Sequence, residues 1–173
     1  MAGRGSAAGL LAFGNANDIV VDMGPSLQIA DNRKEIMIQA EKNFVYPHDV
    51  DAFGFDWDRL ALTVAPEVNG AQRFSGGVVD LPPGQGHSRH NHPGAEVIIF
   101  VIAGHGTQMV EDPEGTPEVV KVGPGCTVYV PESRFHSTLN TGTGAMQRFV
   151  VYSPAGPELV LRDLPDFHII PRD

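Results

Sequence analysis

The sequence predicts an all-β domain, a sandwich or small barrel of short antiparallel strands, and three observations carry this prediction. The chain has 173 residues, of which 42% are hydrophobic, enough for one domain with a core. Its 20 glycines and 14 prolines fall mostly between short apolar runs rather than inside them. No long segment repeats apolar residues every three to four positions, as an amphipathic helix would. We therefore expect little helix, at most a short one near 47–59.

The strand-like runs are short, apolar or β-branched, and nearly every pair is separated by a cluster of Gly, Pro, Asn or Asp. They lie at 19–21, 35–40, 60–64, 74–81, 97–103, 107–110, 118–122, 127–130, 135–139, 147–152 and 158–161. Short strands at this even spacing are typical of sandwiches and barrels. The clearest hairpin joins 107–110 to 119–122 through the turn sequence DPEG. The chain shows no repeat and no linker, so we assign residues 35–173 to one domain. We assign residues 1–34 to an N-terminal extension, partly disordered or exchanging a strand.

Charge and composition narrow the function classes. A net charge of −9 and an isoelectric point near 5.1, with no cluster of Lys or Arg, argue against a nucleic-acid partner. No apolar run approaches the ~20 residues of a membrane helix, so we expect no membrane contact. The single cysteine, Cys126, allows no intramolecular disulfide and no thiolate metal site, which is compatible with a cytoplasmic location. Residues 1–18 have a faint signal-peptide pattern, and a disordered start partly derived from cloning is the alternative.

The run VIIFVIA at 97–103 is apolar at every position instead of alternating. A strand has this pattern when both of its faces are covered. One face would look into the barrel, and the other would pack on a second sheet or on a partner subunit. The second arrangement predicts a homodimer.

The segment HSRHNHPGAE at 87–96 is the first candidate for a metal site. Side chains two apart on a strand share a face, so His90 and His92 are expected to point the same way. Two imidazoles on one face could begin a metal site, and a solvated, histidine-rich loop is the alternative. Glu96 heads an apolar run, where a carboxylate is costly unless it is paired or bound to a cation. It could supply a further ligand or lie exposed at the start of the strand.

The segment GCTVYVPESRFHSTLN at 125–140 adds a third imidazole. It predicts a strand, a Pro-containing turn and a second strand that bears His136. A hydrogen-bonded core residue is the ordinary role of a lone strand histidine. Taken together, three imidazoles and one carboxylate on two hairpins would hold one divalent transition metal ion, such as Fe, Mn, Ni or Zn.

These two segments resemble the two motifs of the cupin superfamily. Residues 84–96 are similar to the first motif, G-x5-H-x-H-x3-E, at Gly84, His90, His92 and Glu96. Residues 125–140 are similar to the second, G-x5-P-x-G-x2-H-x3-N, at Gly125, Pro131, His136 and Asn140. The resemblance covers roughly residues 70–155. It implies a small antiparallel jelly-roll β-barrel, commonly dimeric, with the metal held inside by His90, His92, Glu96 and His136.

Two positions depart from these motifs. A glycine usually follows the glutamate by seven residues, but Ala103 holds that position and Gly104 comes next. This offset could shift Glu96 relative to the metal and leave a three-histidine centre. Ser133 stands where the second motif has its second glycine, so that turn must form without its usual permissive residue. Neither departure removes a ligand, and we expect all four.

Strand alternation also predicts the wall of the pocket. Residues that share a face with a ligand would line it, and these are Ser88, Ile98, Phe100 and Thr138. A mostly apolar wall with two hydroxyls predicts a small organic substrate with an apolar or aromatic part. An oxygen or carboxylate of that substrate would meet the metal. His87 has the opposite parity to His90 and is expected on the rim.

These features predict a metal-dependent enzyme that acts on a small organic molecule. An oxygen-using dioxygenase is our first expectation, because the four ligands leave one or two open positions on an octahedral ion. A metal-dependent isomerase or decarboxylase (lyase) is the alternative, although the sequence shows no dedicated general acid or base. A non-catalytic barrel that binds a small ligand is the third reading.

Overall fold

The computed structural model describes residues 42–172 of the chain. These residues form eleven strands and two short helical segments. The strands are β1 (Ala52–Gly54), β2 (Arg59–Val64), β3 (Ser75–Leu81), β4 (Gly86–His90), β5 (Glu96–Ala103), β6 (Gly106–Glu111), β7 (Pro117–Val122), β8 (Thr127–Val130), β9 (His136–Asn140), β10 (Met146–Ser153) and β11 (His168–Ile170). The predicted strands at 19–21 and 35–40 and the predicted extension at 1–34 lie outside the described residues, so this domain boundary stays a prediction.

The strands pair into two antiparallel sheets. The larger sheet has seven strands in the order β11-β1-β2-β3-β10-β5-β8, and the smaller has four in the order β4-β9-β6-β7. The predicted hairpin is confirmed, because β6 and β7 pair from Gly106↔Val122 to Glu111↔Pro117. The architecture confirms the predicted all-β class, an antiparallel jelly roll with little helix.

The core is built from alternate residues of the strands. Buried members of one apolar cluster come from β2, β3, β5, β8 and β10, among them Leu60, Leu81, Val101, Val130 and Met146. Burying large aliphatic side chains contributes roughly 1.5–3 kcal/mol each, so this cluster dominates the stability of the domain. The histidine-lined cavity described below lies beside this cluster, inside the same barrel.

Strand β5 alternates, although its sequence is apolar throughout. Val97, Ile99 and Val101 are buried, whereas Ile98 and Phe100 are 46% and 42% exposed. The described residues therefore cover one face of β5 and leave the other open. The sequence predicted that the outer face of β5 packs on a second sheet or on a partner subunit. Within residues 42–172, no second sheet packs on this face.

Two predicted elements are wrong. Residues 158–161 belong to a 3-10 helix, Pro157–Asp163, rather than to a strand. Proline fixes the backbone for a first helical turn, and the buried carboxylate of Glu158 accepts hydrogen bonds from Ser75 Oγ at 2.7 Å and from the Gly156 amide at 3.2 Å. The region 47–59 contains turns and β1 instead of a helix. The short α-helix lies later, at Pro66–Asn69, and ends at Gly70, whose φ is 73°.

Within residues 42–172, neither helical segment has the length or the apolar character needed to cross a bilayer.

Candidate metal centre

Three histidines converge inside the barrel from β4, the loop after it, and β9. His90 is the last residue of β4 and pairs directly with His136, the first residue of β9. His92 follows two residues after His90. One ring nitrogen of each lies within 4.8 Å of the others, close enough for a single ion to be shared. The structure thus brings together the three histidines that the sequence predicted as ligands.

Backbone carbonyls orient two of these rings. His90 Nδ1 lies 2.7 Å from the Ser88 carbonyl oxygen, and His136 Nδ1 lies 3.1 Å from that of Arg134. A carbonyl only accepts, so each Nδ1 carries the proton and donates it. The opposite nitrogen, Nε2, is then left with a free lone pair. This arrangement is usual for metal-binding histidines, because it fixes both the tautomer and the ring direction.

The three imidazoles are held in the neutral form that metal binding requires. Burial, with a smaller effect of the neighbouring imidazoles, lowers the pKa of His92 to about 4 and that of His136 to about 3. Burial also lowers the pKa of His90, against the opposing effect of the Ser88 carbonyl. Neutral imidazoles suit Zn, Cu, Fe and Ni, so the residues present fit a divalent transition metal ion.

These pKa shifts predict an acid-sensitive fold for the metal-free protein. The folded-state pKa values of His92 and His136 lie below the ordinary 6.5, so the unfolded chain binds more protons as the pH falls through 6.5. We expect the free energy of unfolding to drop by about 2–4 kcal/mol between pH 7 and pH 5. Urea denaturation of metal-free protein at several pH values measures this. Equal stability at pH 7 and pH 5 would contradict it, and a His105→Ala variant, which changes an exposed histidine, should keep the same slope.

Glu96 does not join this cluster. It is exposed on the outer face of β5, where the Tyr129 hydroxyl donates a hydrogen bond to its carboxylate. The glycine at the far end of the strand stands at the motif spacing from Val97, not from Glu96. Gly104 adopts a left-handed φ of 79°, and a Cβ there would lie 2.6 Å from the Ala145 carbonyl oxygen, so glycine is required. Seven residues before it stands Val97, and this side chain faces inward in place of the predicted ligand Glu96.

The pocket wall differs from the predicted one. A small, partly open cavity of about 20 Å³ adjoins the three histidines. Of the four predicted wall residues, Thr138 lines it, whereas Ser88, Ile98 and Phe100 are exposed. The remaining wall is mostly apolar, as expected, but it is made by Val79, Val97, Ile99, Val150 and Tyr152. A larger cavity, about 470 Å³, lies between β6, β7 and β8 and contains none of the three histidines.

A bulge in β4 explains why Ser88 and His87 exchange their expected positions. His87 pairs with Thr138 and His90 pairs with His136. Between these two pairs, β4 has two residues and β9 has one. The extra residue breaks strict alternation, and His87 and His90 both face the cavity. His87 Nε2 lies 2.9 Å from the buried Asp58 carboxylate, outside hydrogen-bond geometry, and its ring packs edge-on against Trp57.

Two charged residues in the interior were not expected there. Asp58 is 3% exposed and Arg148 is 2% exposed, although charged residues are rarely buried unless they are paired. Asp58 directly precedes β2, so the strand anchors it. Arg148 is two residues after the buried Met146 and two before the buried Val150, so all three share the inward face of β10. This two-residue spacing from apolar residues is the sequence signal that could have predicted its burial.

A barrel of this topology with histidines converging inside it defines a class of β-barrel proteins with a metal-binding pocket. Residues 77–152 match the family model described as "Cupin domain". The fold, both motifs and this match agree, and residues 77–152 form a cupin domain. The predicted family is therefore confirmed.

Curated relatives and solved structures give the same family context. The chain is 37% identical over 63 residues to a glucose-6-phosphate isomerase of Thermococcus kodakarensis, covering 36% of this chain and 33% of that protein. It is 29% identical over 98 residues to germin-like protein subfamily 3 member 1 of Arabidopsis thaliana, covering 57% and 47%. The matches thus span less than half the length of these relatives. The fold is similar to that of the Lactobacillus farciminis oxalate decarboxylase formate complex, with a TM-score of 0.57, 20% identity, and coverage of 61% and 31%.

Proposed function

We propose that this protein is a metal-dependent enzyme that acts on a small organic molecule inside the barrel. His90, His92 and His136 would hold one divalent transition metal ion. The observation that carries the proposal is the convergence of three neutral imidazoles, two of them with the tautomer that leaves Nε2 free. The similarity to a glucose-6-phosphate isomerase supports this enzyme class.

Within this class we place an oxygen-using dioxygenase first. With Glu96 on the outer face, the ligand set is three neutral nitrogens. Such a set leaves up to three positions of an octahedral ion for substrate and dioxygen, and a redox metal such as Fe(II) would supply that chemistry. The apolar wall around the cavity would keep water from the reacting groups.

One observation favours an isomerase or decarboxylase (lyase) as the second candidate. Such reactions need a group that takes up or gives a proton near the substrate. His87 faces the cavity and lies 2.9 Å from the buried carboxylate of Asp58, so an imidazole that could exchange a proton with a substrate is present after all. A non-catalytic barrel that binds a small ligand is the remaining alternative.

Metal analysis and oxygen uptake separate these functions. We expect purified protein to hold about one transition metal ion per chain by elemental analysis. Substrate-dependent oxygen loss in a screen of aromatic and dicarbonyl compounds would support the dioxygenase. Conversion of a compound without oxygen loss would support the isomerase or lyase. Ligand binding by a protein that takes up no metal would overturn the enzyme proposal in favour of a binding barrel.

We also propose that the protein is a homodimer. The outer face of β5 and its neighbour β8 exposes Ile98, Phe100, Ile102 and Tyr129, each at least 40% accessible. A contiguous apolar face of this kind is typical of an interaction surface. We expect Phe100→Glu to shift the mass measured by light scattering from dimer to monomer. A wild-type monomer at micromolar concentration would contradict the proposal. A cytoplasmic location stays a proposal, supported by the single cysteine.

A further inference from the structure

Arg148 places a buried positive charge beside the three histidines. It lies on β10, is 2% exposed, and lines the same cavity as His90, His92 and His136. A buried guanidinium is costly unless it is paired or hydrogen-bonded, because burial removes its hydration. The proposed metal ligands do not require this charge, so its position calls for another role.

A chain of hydrogen bonds fixes the orientation of this guanidinium. Its Nη1 donates to Thr138 Oγ1 at 2.7 Å, and that hydroxyl in turn donates to Gln108 Oε1 at 2.6 Å. All three side chains are buried. The guanidinium is thus anchored at one nitrogen by groups that belong to β9 and β6.

The other edge of the guanidinium is unpartnered. Arg148 Nε is buried and has no acceptor among residues 42–172, and the bond to Thr138 is the side chain's single hydrogen bond within that range. Nε and Nη2 form the edge that binds a carboxylate through two parallel hydrogen bonds. An acceptor with two oxygens is therefore the group that this edge fits.

The charges around the cavity also favour an anion. No carboxylate of the described residues lies within ion-pairing distance of Arg148, and the acidic side chain that acts on it most strongly, Asp58, contacts His87 instead. A divalent cation at the three histidines would leave the cavity with a clear excess of positive charge, which a small anion would reduce.

We propose that Arg148 binds the carboxylate of a small anionic substrate and selects it over neutral analogues of the same size. This inference rests on the proposed function, since it names the substrate class of the same cavity. Arg148 acts here as a substrate-binding residue, held in place by Thr138 and Gln108.

Formate and formamide test this selection, because both have three heavy atoms and differ mainly in charge. Each compound is titrated by calorimetry into zinc-loaded and metal-free protein. We expect formate to bind wild type at least tenfold more tightly than formamide, with part of the preference kept without zinc. Arg148→Met should remove the preference, and Arg148→Lys should keep only part of it. Arg59→Met, which changes a partly exposed arginine paired with Asp80, is the matched control and should behave as wild type.

The outcomes distinguish this inference from the proposed function. Equal affinities of wild type for formate and formamide, or an unchanged preference in a folded Arg148→Met variant, would overturn the carboxylate site. Failure of wild type to bind zinc would overturn the metal proposal, while an Arg148-dependent formate preference in metal-free protein would still support the carboxylate site. If Arg148→Met does not fold, the wild-type Arg148 Nε–H resonance in a nitrogen-15 spectrum decides. It should shift with formate and not with formamide, and an unmoved resonance counts against the proposal.

Discussion

His136→Ala is expected to leave purified protein with less than about a fifth of the wild-type metal content, at similar yield. The variant removes one of three imidazoles whose ring nitrogens lie within 4.8 Å of one another. It also removes the ligand that the Arg134 carbonyl orients, and the two remaining nitrogens, from the end of β4 and the loop after it, hold an ion far more weakly than three. Elemental analysis after growth in metal-supplemented medium, followed by a zinc titration of the metal-free protein, measures the effect.

Two control variants make this result specific. His105→Ala changes a histidine exposed in the turn between β5 and β6, and Glu96→Gln changes a carboxylate on the outer face of β5. Both should retain wild-type metal content. Full metal content in His136→Ala would contradict the proposed centre. Loss of metal in Glu96→Gln would contradict the assignment of that carboxylate to the outer face.

The sequence was sufficient to predict the fold class and the three histidines. Turn residues between short apolar runs indicate strands without any tertiary information. Residues two apart on a strand, such as His90 and His92, share a face wherever the strand continues. His136 could be added because its segment carries a second motif in the right order. These features are local, so a linear pattern captures them.

The errors in the pocket wall arise from a bulge in β4 and from the phase of the alternation in β5. One extra residue in β4 turns His87 inward and exposes Ser88, and a bulge of this kind has no clear sequence signal. In β5 the alternation is regular from Glu96 to Val101, but its phase is the opposite of the predicted one, so Val97 rather than Glu96 faces the cavity. The displaced glycine, Gly104, is visible in the sequence. Only the strand pairing shows which side chain of β5 points into the cavity.

The interior charges could not be predicted for a different reason. Asp58 and Arg148 are ninety residues apart, and each is ordinary in its own segment. Their burial depends on the pairing of β2 with β3 and of β3 with β10, which brings distant strands into one sheet. A charged residue on an edge strand would be solvated, but β10 lies in the middle of the seven-stranded sheet.

Val97→Glu is expected to destabilise the metal-free protein strongly and to make its stability depend on metal. Val97 is 2% exposed and lines the cavity beside the histidines. An unpaired carboxylate buried there costs about 3–5 kcal/mol. A divalent cation at the histidines would give that carboxylate a partner, so the loss should be largely reversed by zinc. Thermal unfolding with and without zinc, and competition against a chelator, measure both effects.

The neutral variant Val97→Gln separates the charge from the change in shape. Val97→Gln should lose about as much packing energy as Val97→Glu does. Zinc should stabilise Val97→Gln no more than it stabilises wild type. Val97→Glu should bind zinc at least tenfold more tightly than Val97→Gln, because a carboxylate is a ligand and an amide is a poor one. Equal zinc affinities for the two variants would show that the inward position of β5 does not reach the metal. In that case the centre would have to be placed closer to β4 and β9, on the side where His87 and Asp58 lie.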